Sequence, residues 1–234
     1  MSRTFKIIGL GETQVEKLLM DLIQAQSNPT IAPYAKVGDV HVRITAAAPS
    51  QAEAEKLLAP LTLEINRRLA PYVYSDTDAT LAEVVLNLLQ EQNHTLAIAE
   101  SCTGGLMTSD IVSVPGSSAV FLEGLCTYSN AAKIARLGVP AALIETHGAV
   151  SPQVAAAMAE GVAKTSGASV GISTTGVAGP GGGTADKPVG LVYVGVCING
   201  EATTEKFNLT GNRDEVRVRA ASHALDALRR RLML

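Results

Sequence analysis

Residues Ala99-Glu100-Ser101-Cys102-Thr103-Gly104-Gly105 place two nucleophile-type side chains, a serine and a cysteine, in one short string. An apolar run, Thr95 to Ala99, precedes it, and Leu106 to Val112 follows with the pattern of a helix. A strand that turns at once into a helix puts a hydroxyl on a sharp bend. It also leaves the N–H groups of the first helical turn without intrahelical partners, facing the same space. This is how a nucleophile elbow pairs its hydroxyl with an anion site. A tight turn of small residues produces the same string, and Cys102 competes with Ser101 for the role of nucleophile, since such a bend turns only one of two neighbours toward a site.

A serine nucleophile needs a base. His147, in Thr146-His147-Gly148-Ala149, is the one histidine near a glycine-containing loop, and a loop histidine bonded to backbone reads at least as well. His41, His94 and His223 fall on strand or helix surfaces, so a Ser-His-Asp triad is poorly supported. Lys133 offers another solution. It follows the apolar run Phe121 to Cys126 within Thr127-Tyr128-Ser129-Asn130-Ala131-Ala132-Lys133. Tyr128 and Lys133, five positions apart at a strand end, can converge on one pocket. A desolvated lysine loses its proton more readily and serves as a base, with Tyr128 relaying a proton or donating a hydrogen bond. A solvent-facing lysine on a first helical turn is the plainer alternative.

A third string, Ser173-Thr174-Thr175-Gly176-Val177-Ala178-Gly179-Pro180-Gly181-Gly182-Gly183-Thr184, leads from an apolar run into small residues and ends near Lys187. Glycines allow close backbone approach, so their N–H groups can line an anion pocket. The spacing is neither a P-loop nor a Rossmann loop. Arg213 and Arg217 lie four apart and share a helix face, suited to clamping a phosphate or to pairing with Asp214 and Glu215.

The elements that must position these residues fall into two parts. Residues 1–74 read as β-α-β-β-α. Thr4 to Gly9 is a strand, and Thr13 caps a helix to about Gln26. Strands Ile31–Lys36 and Asp39–Ala46 are followed by a helix from Gln51 to about Leu69. Residues 75–79 read as a polar linker. From residue 80 to 234 strands and helices alternate. Thr80 caps a helix with Glu83 as its box partner, and Ser151-Pro152 opens another. Asn199-Gly200 joins two strands in a hairpin, and a last helix starts near Arg213. The predicted class is α/β: a three-layer C-terminal domain with a mixed sheet, preceded by a small α+β domain.

Composition narrows the function classes. Of 234 residues, 47% are hydrophobic and only 3% aromatic, which favours an Ala/Val/Ile/Leu core of the layered α/β kind. A net charge of -3 lacks the basic footprint of a phosphate-driven nucleic-acid binder. Cys102, Cys126 and Cys197 are odd in number and far apart, and the histidines are scattered. Neither a disulfide framework nor a metal site is supported. With no signal-like N-terminus and no segment of membrane-spanning length, a cytoplasmic location is expected.

Five of these strings, in this order, resemble one family. They are Ala99–Gly105, Thr127–Lys133, Gly148–Ser151, Thr175–Gly182 and Lys187–Gly190, and they look like the C-terminal domain of the competence- and damage-inducible CinA proteins, which include nicotinamide-nucleotide amidases. Ile8–Glu12, Asn28-Pro29 and Val42–Ala46 are similar to the family's KH-like middle domain. The family's N-terminal pyrophosphatase-type domain has no counterpart here, so the chain looks like a shortened form or a fragment, and that activity is not carried over.

The resemblance implies hydrolysis of the carboxamide of nicotinamide mononucleotide, without a cofactor or metal, by a Ser-Lys amidase. Ser101 would be the nucleophile and Lys133 the base, with Tyr128 beside them. Backbone N–H groups from Thr103 through Gly104 to Gly105 would hold the oxyanion, each donor being worth about 3 kcal/mol in other hydrolases. Glu100, Asn130, Thr175, Gly176, Ala178, Gly179, Gly181 and Gly182 would surround the substrate, and Arg213 or Arg217 would hold its phosphate. The competing expectation is a non-enzymatic, nucleotide-responsive or nucleic-acid-associated module. Against it, residues 1–75 carry no GxxG and balance eight Lys or Arg with seven Asp or Glu. The expected partners are a small nucleotide substrate and a second copy of the chain, with no membrane.

Overall fold

The computed structural model describes all 234 residues, and they separate into two compact units, Met1–Leu81 and Ala82–Leu234.

The first unit runs β1 (Ser2–Ile7), α1 (Glu12–Ala25), β2 (Thr30–Ala35), β3 (Val40–Thr45), α2 (Gln51–Leu69) and β4 (Val73–Ser75). Its sheet is antiparallel throughout, in the order β2-β3-β1-β4. Alternation along β1 and β3 sends Phe5, Ile7, Val42 and Ile44 into a core with Val15 and Leu19 of α1 and Leu58, Ile65 and Leu69 of α2. Ser50 caps α2 by accepting from the Glu53 N–H. Three expectations are corrected. A sixth element, β4, pairs with β1 where the sequence suggested the end of the unit and a linker; three residues are too few for alternation to register. Gly11 rather than Thr13 is the N-cap of α1, with the Gln14 side chain accepting from the Gly11 N–H at 2.9 Å. His41 is buried, its Nε2 lying 2.9 Å from the Asp39 carboxylate, which also accepts from the Tyr74 hydroxyl at 2.6 Å.

The second unit carries α3 (Leu81–Glu91), β5 (Leu96–Glu100), α4 (Leu106–Val112), β6 (Phe121–Cys126), α5 (Asn130–Leu137), α6 (Ala141–His147), α7 (Pro152–Ser166), β7 (Val170–Gly176), β8 (Leu191–Ile198), β9 (Glu201–Asn208) and α8 (Arg213–Leu232). The sheet order is β6-β5-β7-β8-β9. The first three strands are parallel and the last two join antiparallel, so the sheet is mixed as expected. Helix α7 covers one face, while α8 and α4 pack on the other. The alanines of α7 let it lie close. A Cβ at Gly171 would fall 2.0 Å from the Ala159 carbonyl oxygen, and one at Gly195 would fall 2.3 Å from that of Ala155. Every residue of β5 is buried, between β6 at the sheet edge and β7 at its middle.

Candidate active site

Parallel register brings the chemistry together. Glu100 pairs with Cys126 on β6 and with Thr174 on β7, so the residues just beyond them, Ser101, Thr127 and Thr175, stand side by side at one edge of the sheet. The chain leaves β5 to one side for β6 and returns on the other for β7. A crevice at the carboxyl ends of strands forms where the strand order reverses in this way. It holds a cavity of about 190 Å³ lined by Ser101, Cys102, Tyr128, Lys133, Ala149, Val150, Thr175, Gly176, Ala178 and Arg213.

The bend after β5 is built from left-handed backbone, with φ +62° at Gly104 and +99° at Gly105, which any side chain would strain. Glu100, the last strand residue, is fully buried. Its carboxylate accepts from the N–H groups of Gly105 (2.8 Å), Met107 (3.3 Å) and Thr108 (2.9 Å) and from the Thr108 hydroxyl (2.8 Å). A buried anion at a helix N-terminus is stabilised by the orphan amides and the helix dipole together. Two expectations are corrected here. Glu100 turns into the start of α4 rather than into the cavity. The Gly105 N–H already donates to Glu100, so an anion at the bend is left with the N–H groups of residues 102–104. Thr103 is fully buried, its hydroxyl 2.7 Å from that of Thr174, and it lies outside the cavity wall.

Lys133 sits on α5, whose start is capped by Ser129 accepting from the Ala132 N–H at 3.1 Å. It shares a face with Leu137 one turn on, and that face is buried: Lys133 is 1% exposed. Its Nζ lies 3.0 Å from Ser101 Oγ, 2.8 Å from the Thr127 carbonyl oxygen and 3.5 Å from that of Tyr128. No carboxylate pairs with it, and burial pushes its pKa down, opposed only by the Cys102 thiol. Nζ donates to both carbonyl oxygens and to Ser101 Oγ; once the amine is neutral, two N–H groups keep the carbonyls and the lone pair is free for the hydroxyl proton.

The choice between Ser101 and Cys102 follows. Both line the cavity, but burial pushes the Cys102 thiol up to about 11, with the Lys133 charge offsetting little of that. A thiol in that state carries almost no thiolate near neutral pH. His147 ends α6, exposed and outside the cavity wall, and its carbonyl accepts from Lys187 Nζ at 2.7 Å. No histidine lines the cavity, so Lys133 is the one base in reach of Ser101.

Other predicted site residues divide. Thr175 is buried and donates to the Ala149 carbonyl at 2.8 Å, while Gly176 and Ala178 form wall beside it. Tyr128 lines the cavity, yet its hydroxyl accepts from Arg213 Nη2 at 3.2 Å, and only its backbone carbonyl approaches Lys133. Arg213 also donates through Nη1 to the Gly179 carbonyl at 2.6 Å, tying the glycine-rich loop to α8. Arg217, Asn130, Gly179, Gly181 and Gly182 are not part of the wall. Gly181 and Gly182 are exposed, and Arg217 donates to the Thr103 carbonyl at 3.0 Å while meeting Asp214 at 3.4 Å. Ala149 and Val150 are wall residues that lie within the Gly148–Ser151 string but that sequence reasoning did not select as site residues. They precede Ser151, the N-cap of α7, whose hydroxyl holds the loop by donating to the Gly148 carbonyl.

Against known proteins, residues 78–232 match the CinA C-terminal domain and residues 2–75 the KH domain of damage-inducible protein CinA. The chain belongs to the CinA family. A relative from Clostridium acetobutylicum, provisionally named a competence-damage inducible protein, is 50% identical over 233 residues, which are 100% of this chain and 57% of that one. A relative from Clostridium novyi with the same provisional name is 50% identical, over 99% of this chain and 56% of its own. The chain therefore spans a little over half the length of these relatives. Among solved structures, the competence/damage inducible protein CihA from Agrobacterium tumefaciens is 38% identical, with a TM-score of 0.63 over 66% of this chain and 94% of that one. A CinA-superfamily protein from Escherichia coli is 31% identical, with a TM-score of 0.62 over 66% and 88%. No helix is long and apolar enough to cross a membrane, and no cluster of three or more His, Cys, Asp or Glu forms a metal-ligating group.

Proposed function

We propose that the second unit is a serine amidase that hydrolyses the carboxamide of nicotinamide mononucleotide to nicotinate mononucleotide and ammonia. The observation that carries this reading is the buried contact of 3.0 Å between Lys133 Nζ and Ser101 Oγ, with no carboxylate to hold the lysine protonated. Neutral Lys133 takes the Ser101 proton as Oγ attacks the amide carbon, forming a tetrahedral adduct. The same ammonium then gives its proton to the amide nitrogen, and ammonia leaves an acyl-serine. Water, deprotonated by the regenerated amine, frees the nicotinate and restores Ser101. Backbone N–H groups of residues 102–104, the first beyond the nucleophile, are the donors left to hold the developing oxyanion.

The cavity takes the pyridine carboxamide against Ala149, Val150 and Ala178, which leaves the ribose phosphate at the mouth with Arg213 and Tyr128. Arg213 holds two acceptors with Nη1 and Nη2 and has five donors in all, so a phosphate still finds partners. The test is ammonia release from nicotinamide mononucleotide without added metal. Wild-type chain should turn over, while Ser101→Ala and Lys133→Ala should each lose it. Wild-type rates in both variants would overturn the dyad. Since a protonated lysine cannot accept the serine proton, the rate should rise with pH through the Lys133 pKa, at a pH below that of an ordinary lysine.

A further inference from the structure

We infer that Arg217 is a positioning residue that holds the nucleophile-bearing bend by a carbonyl while Glu100 holds it by its amides, and is not a ligand for the substrate phosphate. The inference rests on the amidase reading of the same cavity. Arg213 and Arg217 lie four positions apart on α8, and both are cations of the kind that recognise phosphate. Their guanidinium groups have different neighbours. Arg213 lines the cavity, whereas Arg217 does not, and its Nη2 donates to the Thr103 carbonyl oxygen at 3.0 Å. A Cβ placed on Gly104 would stand 3.4 Å from the same Nη2, so the guanidinium lies against the Thr103–Gly104 peptide.

Glu100 in turn draws in the N–H groups of Gly105 and Thr108 at 2.8 and 2.9 Å. Between these two anchors run Ser101, Cys102 and Thr103. Ser101 is itself pinned by its N–H donating to the Thr174 carbonyl, and Thr103 by its hydroxyl against Thr174. The peptides that would face an oxyanion are thus fixed before substrate arrives. One anchor is an anion on amide donors and the other a cation on a carbonyl acceptor, each a charge-assisted bond of the stronger class. Loss of the arginine anchor lets the Thr103 peptide plane turn, and small displacements of this kind cost rate far more than affinity.

The experiment compares Arg217→Met, Arg217→Lys and the control Asp214→Ala on two substrates, nicotinamide mononucleotide and its dephosphorylated riboside. For Arg217→Met we expect kcat to fall about 30-fold on both substrates with KM changed less than about 3-fold. Arg217→Lys should recover most of it, since one ammonium N–H can replace one guanidinium N–H on a single carbonyl. Asp214→Ala should stay within about 2-fold of wild type, as exposed ion pairs contribute little. A rise in KM confined to the phosphorylated substrate, without rescue by lysine, overturns the inference and makes Arg217 a phosphate ligand. A lowered Tm with unchanged kcat well below it also overturns it.

Labelling of Ser101 by a fluorophosphonate, followed by intact mass, separates this inference from the substrate reading. If wild type labels but releases no ammonia, the substrate reading fails, and slower labelling of Arg217→Met by about 10-fold or more still supports the inference. Equal labelling rates overturn it, and so does a wild-type chain that neither labels nor turns over.

Discussion

The bend at residues 100–105 and the loop at residues 179–187 are both short, glycine-bearing and polar, and both follow a buried strand of the same sheet. They end in opposite conditions. The bend is closed: Glu100 and Thr103 are fully buried, Ser101 is 8% exposed, and their polar side-chain atoms have partners inside the unit. The loop is open. Residues Pro180 to Asp186 are exposed, and the loop is tied only at its ends, by Arg213 to the Gly179 carbonyl and by Lys187 to the His147 carbonyl. Glycine permits a backbone to approach a ligand but does not hold it there. Buried hydrogen-bond partners do that, and only the bend has them.

The largest effects should come from breaking the closed region. Ser101→Ala and Lys133→Ala should each reduce ammonia release by about 1,000-fold or more, measured at saturating substrate. Glu100→Gln exchanges an acceptor oxygen for an amide NH2 facing backbone donors. It should lower kcat about 100-fold and cost about 2–4 kcal/mol in urea unfolding, because a buried donor is left opposite another donor. Survival of either property at wild-type level would mean that the bend does not depend on its carboxylate.

A medium effect of opposite sign is expected at Lys133. The folded pKa is lowered, so between that pKa and the ordinary lysine value the unfolded chain binds the extra proton and stability rises with pH. Below that window the buried ammonium lacks a counter-charge. Lys133→Met should therefore be inactive yet more stable at pH 7, by about 1–2 kcal/mol, and the gain should shrink as pH approaches 10. Thermal melts across that range check both the sign and the window.

The smallest effects should mark the open region. A Cβ at Gly181 meets nothing within 4 Å, whereas one at Gly176 would stand 2.7 Å from the Leu191 carbonyl oxygen. Gly176→Ala should cost about 1–3 kcal/mol, and Gly181→Ala should stay within about 0.5 kcal/mol with KM within about 2-fold. A tenfold KM change at Gly181 would show that the loop closes over substrate, and the contrast between the two regions would be lost.

Much of this architecture was readable in one dimension because its signals are local. Capping by Ser50 and by Ser151 with Pro152, the Asn199-Gly200 turn with both φ values positive, and apolar periodicity each act within a few residues. They delimited α2 and α7 and joined β8 to β9. Even the burial of Lys133 had a local sign, since Leu137 lies one helical turn on along the same face. The short strand β4 had none, because its identity depends on pairing with β1.

For the site, residue types and spacing were enough to nominate Ser101, Lys133, Tyr128 and Thr175 and to connect them with one family. Tertiary structure alone decided their partners. Parallel register at β5, β6 and β7 set Ser101 beside Lys133, burial left the Cys102 thiol protonated, and the start of α4 claimed the carboxylate of Glu100. On α8, packing turned Arg213 toward the cavity and Arg217 toward the Thr103 carbonyl. Charge and spacing are the same for both arginines in the sequence. A hydrogen bond depends on where its acceptor lies, and these acceptors come from strands and loops 34 and 114 residues away.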